Sequence, residues 1–152
     1  MSVSYWLVKT EPDVFSYDDL ERLGSTDWDG VRNYQARNHL RAMRLGDLVI
    51  VYHSNANPPG VAGVAEVGAE HTPDPSQFNP GSPYFDAASR REDPRWSMVR
   101  IVPRGRLRLV ALETLRDSPA LAGSRLLAKG NRLSVLPLSK AEFEAIRELG
   151  AG

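Results

Sequence analysis

Residues 47–67 read Asp47-Leu48-Val49-Ile50-Val51-Tyr52-His53-Ser54-Asn55-Ala56-Asn57-Pro58-Pro59-Gly60-Val61-Ala62-Gly63-Val64-Ala65-Glu66-Val67. Leu48 to Tyr52 is an unbroken apolar run of strand length, which predicts a strand buried on both faces. Asn55 to Gly60 is a turn rich in Asn and Pro. Val61 to Val67 predicts a second strand, in which the interior Gly63 marks a bulge or a close backbone approach. Two strands joined by a short turn, with no helix between them, argue against a doubly wound parallel sheet, whose strands alternate with crossover helices. The expected architecture is α+β: a small mixed or antiparallel β pseudo-barrel with short helices packed around it.

The flanking sequence extends this pattern. Val3 to Lys9 predicts the first strand, ended by Glu11-Pro12. Ser16 with Asp19 three residues on forms a capping signal for a helix over Tyr17 to Leu23, and Gly24 stops it. Ser25 to Gly30 reads as a loop carrying Trp28. Asn33 is placed to cap a helix over Tyr34 to Met43, with Gly46 as its stop. Residues 71–95 hold five prolines and no regular period, the signature of a functional lid. Trp96 to Val102 and Arg106 to Val110 predict two strands around Pro103-Arg104-Gly105. Short helices are expected at Leu112–Arg116 and Ala120–Leu126. Ser139 and Glu142 form a capping box for a last helix with Phe143, Ile146 and Leu149 on one face. No internal repeat is visible.

With 152 residues, 41% hydrophobic and 25% charged, the chain fits a single globular domain, residues 1–152. No apolar run reaches membrane-spanning length, and the start has no basic segment followed by a long apolar stretch, so a cytoplasmic or nucleoid-associated monomer is expected. The absence of cysteine excludes disulfides, thiolate nucleophiles and cysteine-ligated metals, and three scattered histidines make a zinc site unexpected. No cofactor is implied. The net charge is zero, but it is patterned: residues 1–29 carry −5, 30–60 carry +3, 61–89 carry −4 and 90–132 carry +7. Sixteen of the nineteen bases are arginine, whose planar fork suits phosphates and stacks on bases. This permits a nucleic-acid partner, as it equally permits a solvated surface.

Four polar-aromatic clusters lie near element ends: Lys9 to Pro12, Trp28 to Arg37, Tyr52 to Asn55 and Lys129 to Val135. Together they hold what a base pocket needs: aromatic walls, amides and hydroxyls for the base edge, and cations for the flanking phosphates. Each also has a plainer reading. Trp28 and Tyr52 suit core positions, Asn33 is an ordinary cap, and Arg37, Arg41 and Arg44 form one face of a helix. His53 beside Ser54 suggests a base and a nucleophile, but adjacent strand residues point to opposite faces. Phosphate-loop, dinucleotide, nucleophile-elbow and zinc-protease motifs are absent. Asp18 and Asp19 sit in a helix first turn, where the helix dipole explains them.

In order along the chain, these clusters resemble the EVE domain family. The resemblance rests on Tyr5-Trp6-Leu7-Val8-Lys9-Thr10-Glu11-Pro12 and Trp28-Asp29-Gly30-Val31-Arg32-Asn33-Tyr34-Gln35-Ala36-Arg37-Asn38. It continues through Gly46-Asp47, Tyr52-His53-Ser54, Gly60 to Glu66, Pro73-Asp74-Pro75-Ser76-Gln77-Phe78, Arg95-Trp96 and Gly130-Asn131-Arg132-Leu133-Ser134-Val135. It implies a PUA-like pseudo-barrel, related to the YTH domains that read methylated adenine in RNA. It also implies binding of nucleic acid, DNA or RNA, with a modified base turned into a pocket. The base-pocket positions it implies are Lys9, Thr10, Trp28, Asn33, Tyr34, Tyr52, His53, Ser54, Asn131 and Ser134. The phosphate-binding positions are Arg32, Arg37 and Arg132, helped by some of Arg90 to Arg108. Two departures from the family pattern stand out. Thr10 replaces a usual serine, adding a methyl that would tighten the pocket, and Leu136 replaces a common glutamine, removing a polar contact. Two alternatives remain. A small amidohydrolase of the ASCH kind would use Lys9, Thr10 and Glu66, and a small-ligand or protein-interaction domain would leave the basic blocks away from the pocket mouth.

Overall fold

The computed structural model describes residues 2–128 and 131–151. Its one sheet has six strands: β1 (Tyr5–Thr10), β2 (Thr26–Trp28), β3 (Leu48–His53), β4 (Gly60–Pro73), β5 (Ser97–Ala111) and β6 (Val135–Leu138), in the order β2-β5-β4-β3-β1-β6. β1 and β3 run parallel and the other neighbours are antiparallel. Among the described residues four α-helices accompany the sheet: α1 (Tyr17–Leu23), α2 (Tyr34–Ala42), α3 (Leu112–Arg116) and α4 (Lys140–Gly150).

Strand alternation divides the core in two. Trp6, Val8, Val49, Val51, Ala65 and Val99 face α1 and α2, meeting Tyr17, Leu20, Ala36 and Leu40. Leu7, Ile50, Val64, Val110 and Leu136 face the other way, meeting Leu115 of α3 and Phe143 and Ile146 of α4. The sheet is therefore covered on both faces, which is why β1 and β3 read as continuous apolar runs. Four register shifts in the β4–β5 pairing bend the sheet into the expected pseudo-barrel. Gly63 sits at one shift, and a Cβ there would lie 2.4 Å from the Tyr17 ring. The Tyr17 hydroxyl crosses that gap and donates to the Val64 carbonyl at 2.7 Å.

Several elements differ from the sequence expectation. The loop around Trp28 contains β2, a three-residue edge strand pairing Trp28 with Val99, too short to show an alternating pattern. Pro103-Arg104-Gly105 does not split two strands; β5 runs through it with shifted register. β6 was not foreseen, and its Pro137 is tolerated because β6 closes one edge of the sheet. In place of a helix over Ala120–Leu126 stand two 3₁₀ turns, Pro119–Leu121 and Arg125–Leu127, separated by Gly123 at φ +83°. Leu149 is exposed, so only Phe143 and Ile146 carry the apolar face of α4.

Residues 71–95 are not structureless. The first three finish β4, Pro75–Phe78 is a 3₁₀ turn, and the rest is pinned by buried Gln77. Gln77 Nε2 donates to the carbonyls of Asp74 (2.6 Å) and Trp96 (2.9 Å), and its Oε1 accepts from Ser89 Oγ and Trp96 N. One side chain thus satisfies the backbone of a long loop that has no ladder of its own.

Candidate functional site

A cavity of about 600 Å³ opens where β1 ends, against β2 and the loop after it. Its polar side is Lys9, Thr10, Glu11, Asp27, Asp29 and Ser134; its aromatic walls are Phe15, Trp28 and Tyr84. Trp28 is at once core and cavity wall. It is only 8% exposed and belongs to the core, edge-on to Phe15 at 6.0 Å, yet it borders the cavity.

The wall on the lid side depends on one ion pair. Asp74 is fully buried and caps the 3₁₀ turn. Its Oδ1 accepts from Ser76 N (2.8 Å) and Ser76 Oγ (2.6 Å); its Oδ2 accepts from Gly30 N (2.8 Å) and Arg32 Nη1 (3.0 Å). Burial opposes ionisation of Asp74, but the hydrogen bonds from Ser76, Gly30 and Arg32 outweigh it and hold its carboxyl below the ordinary value. Arg32 then reaches across to donate to the Tyr84 carbonyl from Nε (3.0 Å) and Nη2 (2.8 Å). This places the Tyr84 ring against Gly30, whose missing Cβ would lie 2.9 Å from it.

Of the thirteen positions implied by the resemblance, Lys9, Thr10, Trp28, Arg32 and Ser134 line the cavity. The Lys9 ammonium, however, lies 5.8 Å from the Tyr52 ring centroid on the far face of the sheet, where burial pushes its pKa down. The other positions do not line it. Asn33 caps α2, accepting from Ala36 N at 2.9 Å. Tyr34 lies outside the cavity, stacked on Trp96 at 4.8 Å. Tyr52 is core on the second face. His53 Nε2 accepts from Tyr17 N at 3.1 Å, a role that needs the neutral ring; burial lowers its pKa, with Asp18 opposing. Ser54 continues the backbone ladder by donating its N–H to the Thr10 carbonyl. Asn131 ties its own loop, donating to the Arg125 carbonyl and accepting from Leu133 N. Lys129 and Gly130 of the fourth cluster lie outside the described residues. Leu136 is buried in the second core, so its departure from the family pattern does not touch the cavity.

The phosphate assignments change as well. Arg32 is a structural clamp. Arg37 donates to the Arg95 carbonyl and lies 4.7 Å from the Tyr34 centroid. Arg132 is exposed. In the second basic block Arg90, Arg95, Arg100, Arg104 and Arg106 all pair with carboxylates, whereas Arg91, Arg108, Arg116, Arg125 and Arg132 have no such partner among the described residues. The trio required by an amidohydrolase is not assembled. Glu66 pairs with Arg104 and lies opposite Leu48, at the other end of β3 from His53, the partner of Thr10.

Sequence reasoning missed Tyr84, Phe15 and Asp29 as cavity residues. The Asp74-Pro75-Ser76 signal of a capped turn was available for the lid anchor, but nothing local tied it to Arg32. Among the described residues no group of His, Asp and Glu side chains is arranged to hold a metal ion, and no helix is long and apolar enough to cross a membrane.

A family model described as EVE domain matches residues 4–149. This chain belongs to the EVE domain family. Mouse thymocyte nuclear protein 1 is 41% identical over 165 residues, covering 96% of this chain and 73% of that protein. A crystal structure from Pseudomonas putida superimposes with a TM-score of 0.92 at 42% identity, covering 95% of this chain and 98% of that one. Human thymocyte nuclear protein 1 (THYN1), solved in complex with 5-methylcytosine-containing DNA, gives a TM-score of 0.90 at 38% identity over 98% of each chain. An ASCH protein from Zymomonas mobilis, at 12% identity and TM-score 0.55, shares the fold alone.

Proposed function

We propose that this EVE domain reads modified nucleic acid by taking one base, 5-methylcytosine or a close analogue, into the cavity beside Trp28. The observation that carries the reading is the open, aromatic-walled cavity in a chain whose human relative was solved on 5-methylcytosine-containing DNA. Its volume falls in the range of small-molecule sites. Extrusion of a base from a stack costs a few kcal/mol, less in a single strand, and contacts to Trp28, Phe15 and Tyr84 offset it. Arg37, Arg91 and Arg132 pair with no carboxylate among the described residues, and we assign them to the flanking phosphates.

Fluorescence-anisotropy titrations with single-stranded DNA and RNA oligonucleotides, each carrying one cytosine or one 5-methylcytosine, test this. Burial of one methyl group is worth about 1 kcal/mol, so the methylated strand is expected to bind about fivefold tighter. Three phosphate contacts predict a log affinity that falls with log salt at a slope of about −2. Equal affinity for both bases, or no binding at low salt, refutes the proposal.

A further inference from the structure

Three acids line the cavity, and its two cations are turned elsewhere, Lys9 toward Tyr52 and Arg32 into the Asp74 and Tyr84 contacts. Glu11, Asp27 and Asp29 line it, and Asp74 lies behind its wall. Three of these carboxylates have partners: Asp27 receives Arg100 Nε at 3.0 Å, Asp74 is filled by Gly30, Arg32 and Ser76, and Glu11 at the rim receives Asn55 Nδ2 at 3.4 Å. Asp29 receives no side-chain hydrogen bond and no cation within 4.0 Å among the described residues. Asp29 is exposed, and partial loss of water around it, and then the Asp74 charge, push its carboxyl above the ordinary value, with the Arg32 charge opposing. Its carboxylate oxygens are therefore open to a ligand that donates a hydrogen bond.

A second cavity group has the same polarity. The Thr10 hydroxyl donates its one proton to the Phe15 carbonyl at 2.7 Å, so only its lone pairs face a ligand. Asp29 and Thr10 together offer acceptors to whatever enters. The nucleobases differ in this respect: cytosine and adenine carry an exocyclic amino donor where thymine carries a keto acceptor. 5-Methylcytosine and thymine share the 5-methyl group and nearly the same outline, so shape alone does not separate them.

We infer that Asp29 is the specificity residue of the cavity, accepting a hydrogen bond from the exocyclic amino group of the bound base and rejecting its keto counterpart. This rests on the base-reading proposal and names the base class that site takes. An aromatic wall selects for a flat ring; the acceptor at Asp29 selects among flat rings.

The test uses the full chain and three single-stranded DNA oligonucleotides identical except for one 5-methylcytosine, cytosine or thymine. Wild type is expected to bind the 5-methylcytosine strand about tenfold tighter than the thymine strand. In D29N that ratio is expected to fall to within about twofold, because an amide donates to a keto oxygen as readily as it accepts from an amino group. E113Q removes one exposed negative charge on α3, away from the cavity lining, and is expected to keep the wild-type ratio. D29N is expected to melt no lower than wild type, since it removes an unpartnered charge. A wild type that fails to prefer 5-methylcytosine over thymine, or a D29N that keeps the preference, overturns the assignment of Asp29. A wild type that does not separate 5-methylcytosine from cytosine overturns the modified-base reading instead, and no binding to any strand overturns both.

Discussion

Replacing Asp74 by alanine is expected to lower the folding free energy by about 3 kcal/mol. The carboxylate is fully buried and accepts four hydrogen bonds, from the N–H of Gly30 and Ser76, the Ser76 hydroxyl and the Arg32 guanidinium. Alanine leaves the Gly30 N–H unpaired and removes the counter-charge from Arg32, whose side chain is four-fifths covered. Arg32 keeps the Tyr84 carbonyl as acceptor, which places the loss toward the lower end for a broken buried pair. In urea unfolding the midpoint should fall while the slope stays constant.

The pH dependence of that variant gives an independent check. The folded-state pKa of Asp74 is depressed, so its ionised form contributes stability that is fully present above the unfolded carboxylate pKa, near 4. That contribution is lost as pH falls through the lower, folded value. The stability gap between wild type and D74A should therefore be constant from neutral pH down to about 5 and narrow in acid. A gap that does not change with pH would mean that the charge of Asp74 plays no part in holding the lid.

The same residue shows where sequence reading reaches and where it stops. Ser16 with Asp19 and Ser139 with Glu142 form capping boxes whose bonds close within three positions, and both helices start where those pairs place them. The apolar run of β3 and the gap at Gly63 were equally legible, because strand burial and close approach leave their mark on the residues themselves. The fate of each arginine left no such mark. Arg32 meets Asp74 across 42 positions, Arg104 meets Glu66 across 38 and Arg106 meets Asp18 across 88. A charge count over residues 90–132 shows a strongly basic block, whereas in the folded chain four of its arginines, Arg95, Arg100, Arg104 and Arg106, meet carboxylates from other blocks. The cavity was half legible for a related reason. Lys9 and Thr10 sit at the end of a strand that the pattern located, whereas Trp28 and Ser134 adjoin the short strands β2 and β6, which it did not. Tyr84 reaches the cavity only through the lid anchor, and an irregular loop has no period from which to read a direction.

Tyr84→Ala is expected to weaken binding of a 5-methylcytosine oligonucleotide about 30-fold, close to 2 kcal/mol for one lost base–aromatic contact. Its effect on stability should stay within about 0.5 kcal/mol, because the ring is 42% exposed and packs chiefly on Gly30 and the Arg32 guanidinium, 5.5 Å from its centroid. The loop itself should not move, since Arg32 holds the backbone carbonyl of residue 84 and not its side chain. This separates a wall residue from a scaffold residue: D74A should lose stability and binding together, Y84A binding alone. The salt slope of Y84A should match wild type, because no phosphate contact is removed. Tyr84→Phe keeps the ring and should bind within about twofold of wild type. Affinity in Y84A equal to wild type would place the base away from the lid, against Phe15 and Trp28, the other aromatic residues that line the cavity among the described residues.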